Sequence, residues 1–123
     1  FRGIANACLL AHRRKQGLSG LQTGEDLCNV GPIALLQDLA VQATLGIPSV
    51  ERNGHHYLRG LSFLPEEVQR EMCRLHPDIY VWREAEGFAT LLVDDGMLSL
   101  RSVNAAPFGV APALDIQQLG KSL

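Results

Sequence analysis

Gly20-Leu21-Gln22-Thr23-Gly24-Glu25-Asp26 and Ile47-Pro48-Ser49-Val50-Glu51-Arg52-Asn53-Gly54-His55-His56 decide how this chain reads. Each is a short apolar run that passes into acids. Between them lies Gly31-Pro32 followed by a helix-length apolar segment to Leu45, closed by Gly46. Proline suits a first helical turn, and glycine suits the position just past a helix end. The spacing predicts a strand–helix–strand unit, and strands joined by a helix run parallel. Carboxylates from both stretches then fall at the carboxyl edge of the sheet, where ligands bind in α/β folds.

Outward from this unit the pattern stays mixed. Ile4, Ala7, Cys8 and Ala11 repeat at helical spacing, predicting a helix over 4–16 that Gly17 ends. The first strand is expected through Leu21 and Gln22, ending at Thr23-Gly24, and the second over 47–50. The helix over 32–45 carries Ile33, Leu35, Leu36, Leu39, Ala40, Val41 and Ala43, so it should be covered on more than one side. A further helix over 65–75 has Glu66 and Glu67 in its first turn and stops at His76-Pro77. Tyr80-Val81-Trp82 fits a short strand or a packed loop. Asp94-Asp95-Gly96 predicts a tight turn joining strands over 89–93 and 97–100. The tail, Pro107-Phe108-Gly109-Val110-Ala111-Pro112, reads as extended, with a short polar segment over 115–119.

With 123 residues, 46 % hydrophobic and 20 % charged, the chain suits one ordered domain. The net charge of −2 gives no global attraction to nucleic acid, and Arg13-Arg14-Lys15 reads as cations at a helix C-terminus. No apolar run reaches membrane-spanning length. Cys8, Cys28 and Cys73 are odd in number and widely spaced, which fits reduced thiols and a cytoplasmic setting. Dinucleotide, P-loop, nucleophile-elbow and zinc-protease motifs are all missing. The opening Phe1-Arg2-Gly3 has no initiator Met, so the chain reads as a piece of a longer protein or a processed one.

The candidate chemistry lies in the two quoted stretches. Glu51 closes an apolar run and can bind a ligand, hold a cation or relay a proton. Glu25 and Asp26 are neighbours on an extended segment and point opposite ways, so one can face a ligand while the other caps a helix. His55 and His56 also diverge and make a poor joint metal site, but one can serve as a base or, with Asn53, as a substrate contact. His12 and His76 read as structural.

The order of these pieces resembles the C-terminal portion of enolase-superfamily proteins, in the mandelate racemase and muconate lactonizing enzyme branch. Gly3-Ile4 with Ala7 to Ala11 resembles the end of the sixth barrel strand and the helix after it. Gly20 to Asp26 resembles the seventh strand, Gly31-Pro32-Ile33-Ala34 the start of the seventh helix, and Ser49-Val50-Glu51 the eighth strand with its glutamate. Asp95-Gly96-Met97-Leu98 through Pro107-Phe108-Gly109-Val110 resembles the family's closing stretch. The resemblance implies an α/β fold: residues 1–86 as the last strands and helices of a (β/α) barrel, and residues 87–123 as a hairpin and tail returning to a capping domain. It implies a Mg²⁺-dependent enzyme that removes the proton α to a carboxylate, a dehydratase or racemase of hydroxy acids or sugar acids. Glu51, Glu25 and Asp26 would be catalytic, and Asn53, His55 and His56 would bind substrate. The metal ligands and the lysine base would lie on strands before Phe1, so this chain alone would be inactive. Thr23-Gly24-Glu25-Asp26 stands where the mandelate racemase subgroup carries a histidine base. The implied partners are a small carboxylate substrate, the remainder of the barrel and cap, and further copies in a homo-oligomer, with no nucleic acid and no membrane. Two other readings fit the residues: another metal-dependent enzyme using Glu25, Asp26, Glu51 and a histidine, or a non-catalytic α/β interaction module.

Overall fold

The computed structural model describes residues 1–26, 29–52, 54–115 and 117, with Asp26 described by its backbone alone. Cys28, Asn53 and most of the expected polar segment over 115–119 lie outside the described residues.

The chain is mixed α/β. In order it forms α1 (Arg2–Lys15), β1 (Thr23–Asp26), α2 (Pro32–Leu45), β2 (Ser49–Arg52), α3 (Gly54–Tyr57), α4 (Glu66–Leu75), β3 (Tyr80–Arg83), β4 (Phe88–Leu91) and α5 (Arg101–Ala105), then a 3-10 turn over Pro107–Gly109. The strands make two small sheets: β1 with β2 in parallel, and β3 with β4 antiparallel. None of the described helices is long and apolar enough to cross a membrane.

The strand–helix–strand unit forms as its spacing requires, but both strands start two residues later than expected. Pro32 occupies the first turn of α2, and the helix closes with Gly46 N–H donating to Ala43 O and Ile47 N–H to Gln42 O. A two-stranded sheet is too small to cover this helix. Leu35, Leu36 and Leu39 are instead buried in one cluster with Leu61 and Leu64, Val68 and Met72 of α4, Tyr80, Ala89 and Leu91 of the hairpin, and Val103 of α5. The 3-10 turn packs on the helix from outside. Gly109 lies so close to the Leu36 carbonyl that a Cβ there would collide with it. Cover ends along the other flank: Val41 stays exposed, and α1 buries none of its residues. The expected apolar stripe of α1 thus has no full partner surface among the described residues.

The hairpin is a correction to the sequence reading. Its turn is over 84–87, where Gly87 N–H donates to Arg83 O, and its strands are Tyr80–Arg83 and Phe88–Leu91. The Asp95-Gly96 turn does form, with positive φ at both residues, and Asp94 and Met97 exchange two backbone hydrogen bonds. Pairing stops after that single bridge. Residues 101–105, given no element from sequence, form α5, and the tail read as extended begins with the 3-10 turn over Pro107–Gly109. The boundary expected at residue 86 falls inside the hairpin turn.

Two buried polar side chains tie the layers together. Gln69, 4 % exposed, donates from Nε2 to Leu64 O at 2.7 Å and accepts from Ala89 N–H at 2.8 Å, joining α4 to β4. His76 is fully buried and joins three segments. Ala111 N–H donates to its Nε2 at 3.2 Å, so Nδ1 carries the ring proton and donates to Ser102 Oγ at 2.9 Å. Beside it Asp78 accepts from Ser102 N–H and Ser99 Oγ, holding the first turn of α5. Burial works to raise the Asp78 carboxyl, but the bonds from Ser102 and Ser99 outweigh it and hold it below the usual carboxylate value.

Replacing Gln69 with Leu strands two buried backbone groups and should cost about 2–4 kcal/mol of stability in urea unfolding. Burial holds His76 below its ordinary pKa of 6.5 despite the nearby Asp78 charge. As pH falls below 6.5 the unfolded chain takes up a proton that the folded chain resists, so stability should fall. The urea midpoint should be lower at pH 5 than at pH 7, and the difference should shrink in His76→Gln.

Candidate functional site

β1 and β2 pair in parallel with Thr23 opposite Ser49, Gly24 opposite Val50, Glu25 opposite Glu51 and Asp26 opposite Arg52. Side chains alternate between faces. Gly24, with no side chain, leaves room for Gln42 of α2, so that face is the helix side. Arg52 lies on the same face and pairs with Asp38 of α2 at 2.6 Å. Glu25 and Glu51 therefore stand on the other face, exposed and side by side. Adjacent strands are only about 4.8 Å apart, so the two carboxylates are near neighbours.

This changes the expected placement. Glu25 and Glu51 are inside the strands, not beyond their ends, because the strands begin later. Asp26 pairs through its backbone with Arg52, and its side chain lies outside the described residues.

The histidines diverge as adjacent residues should. α3 buries His55 and leaves His56 exposed. His55 Nδ1 lies 3.5 Å from Thr90 Oγ1, and its ring sits 6.0 Å from that of Tyr80. Burial drives the Tyr80 hydroxyl far above its ordinary pKa, so it stays protonated. Both histidines line a cavity of about 500 Å³ together with Arg52, Arg59, Arg83 and Glu86. His12, by contrast, is exposed on α1 and bonds to Gln16, and His76 serves the packing described above.

Among the described residues no group of three or more His, Cys, Asp or Glu side chains could hold a metal ion. No family model, curated protein or solved structure matches the chain.

Two features of this region lie outside the residues singled out from sequence. Arg59 and Arg83 both line this cavity, yet they stand 24 residues apart in unrelated segments. Only the folding of the hairpin against the 54–61 segment brings them together. A second cavity, about 610 Å³ and mainly apolar, lies between the start of α1, the end of α2 and the 3-10 turn. Its walls include Ile4, Val41, Leu45 and Phe108.

Like charges in register across a sheet repel. Glu25→Gln should therefore raise unfolding stability by about 0.2–1 kcal/mol at low salt, with the gain shrinking as salt is added. A loss of stability instead would mean that attractive contacts hold Glu25.

Proposed function

We propose that the chain forms the C-terminal part of a (β/α) barrel in an enolase-superfamily enzyme, one that removes the proton α to a carboxylate of a hydroxy acid or sugar acid, most simply for dehydration. The observation that carries this reading is the register of Glu25 against Glu51 on the face turned away from α2. In a barrel the helix side is the outside, so that face is the interior wall. The exposed apolar surface of α1 and of Val41 supports it further, since neighbouring helices of a larger barrel would supply cover.

In this reading Glu51 contacts the substrate and polarises or hydrogen-bonds it during proton removal. Glu25, or Asp26 beside it, acts on the substrate or orients the group that does. His55, His56 and Asn53 contact the substrate beyond the strand end. In this reading the metal ligands and the base belong to earlier strands of the barrel, and no step through the metal is assigned to this chain.

A second reading, a non-catalytic α/β interaction module, is favoured by one observation: the cluster around Leu35, Leu36 and Leu39 is closed within the chain. The two readings separate on turnover. In the intact protein Glu51→Gln should lower kcat on hydroxy or sugar acids by about a hundredfold or more while the circular dichroism spectrum is kept. Unchanged turnover would remove Glu51 from the mechanism, and a total lack of turnover on acids of this class would favour the module.

A further inference from the structure

Among the described residues, the cavity of about 500 Å³ beside α3 is lined by three arginines and a single acid, Glu86. Arg52 is answered by Asp38 at 2.6 Å. Arg59 and Arg83 are left facing one lining carboxylate.

These two side chains converge for a structural reason. Arg83 pairs directly with Phe88 across the hairpin, and opposite residues of an antiparallel pair share a face. The Arg59 guanidinium sits 5.3 Å from the centre of the same Phe88 ring. Phe88 thus meets both arginines, Arg59 through its ring and Arg83 across the ladder. Thr90, two residues along β4, adds a hydroxyl on that face and touches His55.

Arg59 is also held in an uncommon conformation. Its φ is 53°, in the left-handed region that few residues other than glycine and asparagine adopt. Gly60 follows with φ 58°, and a Cβ there would collide with the Ala89 carbonyl. Hydrogen bonds from Gly60 N–H to His55 O and from Leu61 N–H to Ala89 O clamp the turn against β4. This strained turn fixes where Arg59 leaves the chain, and strain of this kind concentrates at binding sites. A side chain already resting on a ring loses less freedom when it binds.

We propose that this cavity is an anion-binding site that takes the carboxylate or phosphate group of a small metabolite between the guanidiniums of Arg59 and Arg83. Arginine suits such groups because its planar fork of donors matches their oxygens. The two cations repel each other when the site is empty, and a bound anion relieves that repulsion. The site shares His55 and His56 with the substrate contacts of the proposed function, but the anion is held by Arg59 and Arg83 and the proposal does not rest on Glu51.

Calorimetric titration of the intact protein with inorganic phosphate and, separately, with malonate tests the proposal. Saturable binding of either probe is expected, weakened by added sodium chloride and reduced about tenfold in both Arg59→Gly and Arg83→Gln. Glycine suits the left-handed turn, so Arg59→Gly removes the guanidinium without disturbing the backbone. Arg83 is exposed, and its replacement provides a second variant on another element. Saturation by phosphate alone assigns a phosphoryl ligand, and by malonate alone a carboxylate. Probe binding is read without turnover, which keeps this result separate from the catalytic reading. No saturable binding of either probe, or equal affinity in the Arg59→Gly/Arg83→Gln double variant, overturns the proposal.

Discussion

The apolar side of α2 is the constraint around which the rest of the chain is arranged. Leu35, Leu36 and Leu39 cannot be buried by a parallel sheet of two short strands. The chain supplies the missing layer from its later half, with α4, the β3–β4 hairpin and α5 meeting on those leucines. A buried leucine is worth about 1.5–3 kcal/mol, so these three side chains rank among the main forces in the molecule. The polar ties at Gln69 and His76 fix the register between layers that apolar contact alone would let slide.

The same strands sort charge by face. Period-two alternation sends Glu51 one way and Arg52 the other, although they are neighbours in sequence. Acids gather on the side away from α2. Arg52, on the helix side, is neutralised by Asp38 and forms part of a basic cavity with residues of α3 and the hairpin. Two unlike chemical surfaces therefore lie within a few residues of each other along the chain, separated by the thickness of one sheet.

Much of this was legible from residue patterns, and the gaps have physical causes. α2 and α4 carry clear start and stop signals, and both form close to the expected limits. The strands of the parallel pair slip by two residues because propensity favours Ile47 and Leu21, while the ladder runs through Thr23–Asp26 and Ser49–Arg52. That slip moves Glu25 and Glu51 from strand ends into the strands. Asp94-Asp95-Gly96 is a true tight turn, but its flanks find better partners elsewhere: Leu92 N–H bonds to Ile79 O instead of continuing a ladder with 97–100. The hairpin that does form turns on Gly87 without an Asn-Gly or Asp-Gly signal. Arg59 and Arg83 could not be linked from sequence, because their meeting depends on tertiary packing around Phe88.

The bareness of α1 has a consequence for how the molecule breathes. A helix of 14 residues with no buried side chain has little to hold it beyond its own backbone bonds, and isolated helices of that length are marginal in water. Within this chain α1 belongs to the least protected layer, able to fray while the cluster around α2 stays closed. The amides of α1 would then exchange with solvent through local opening, and those of α2 and α4 only through cooperative unfolding. The chain is in this sense two tiers of stability joined by residues 16–31, and any neighbour that covers α1 merges them into one.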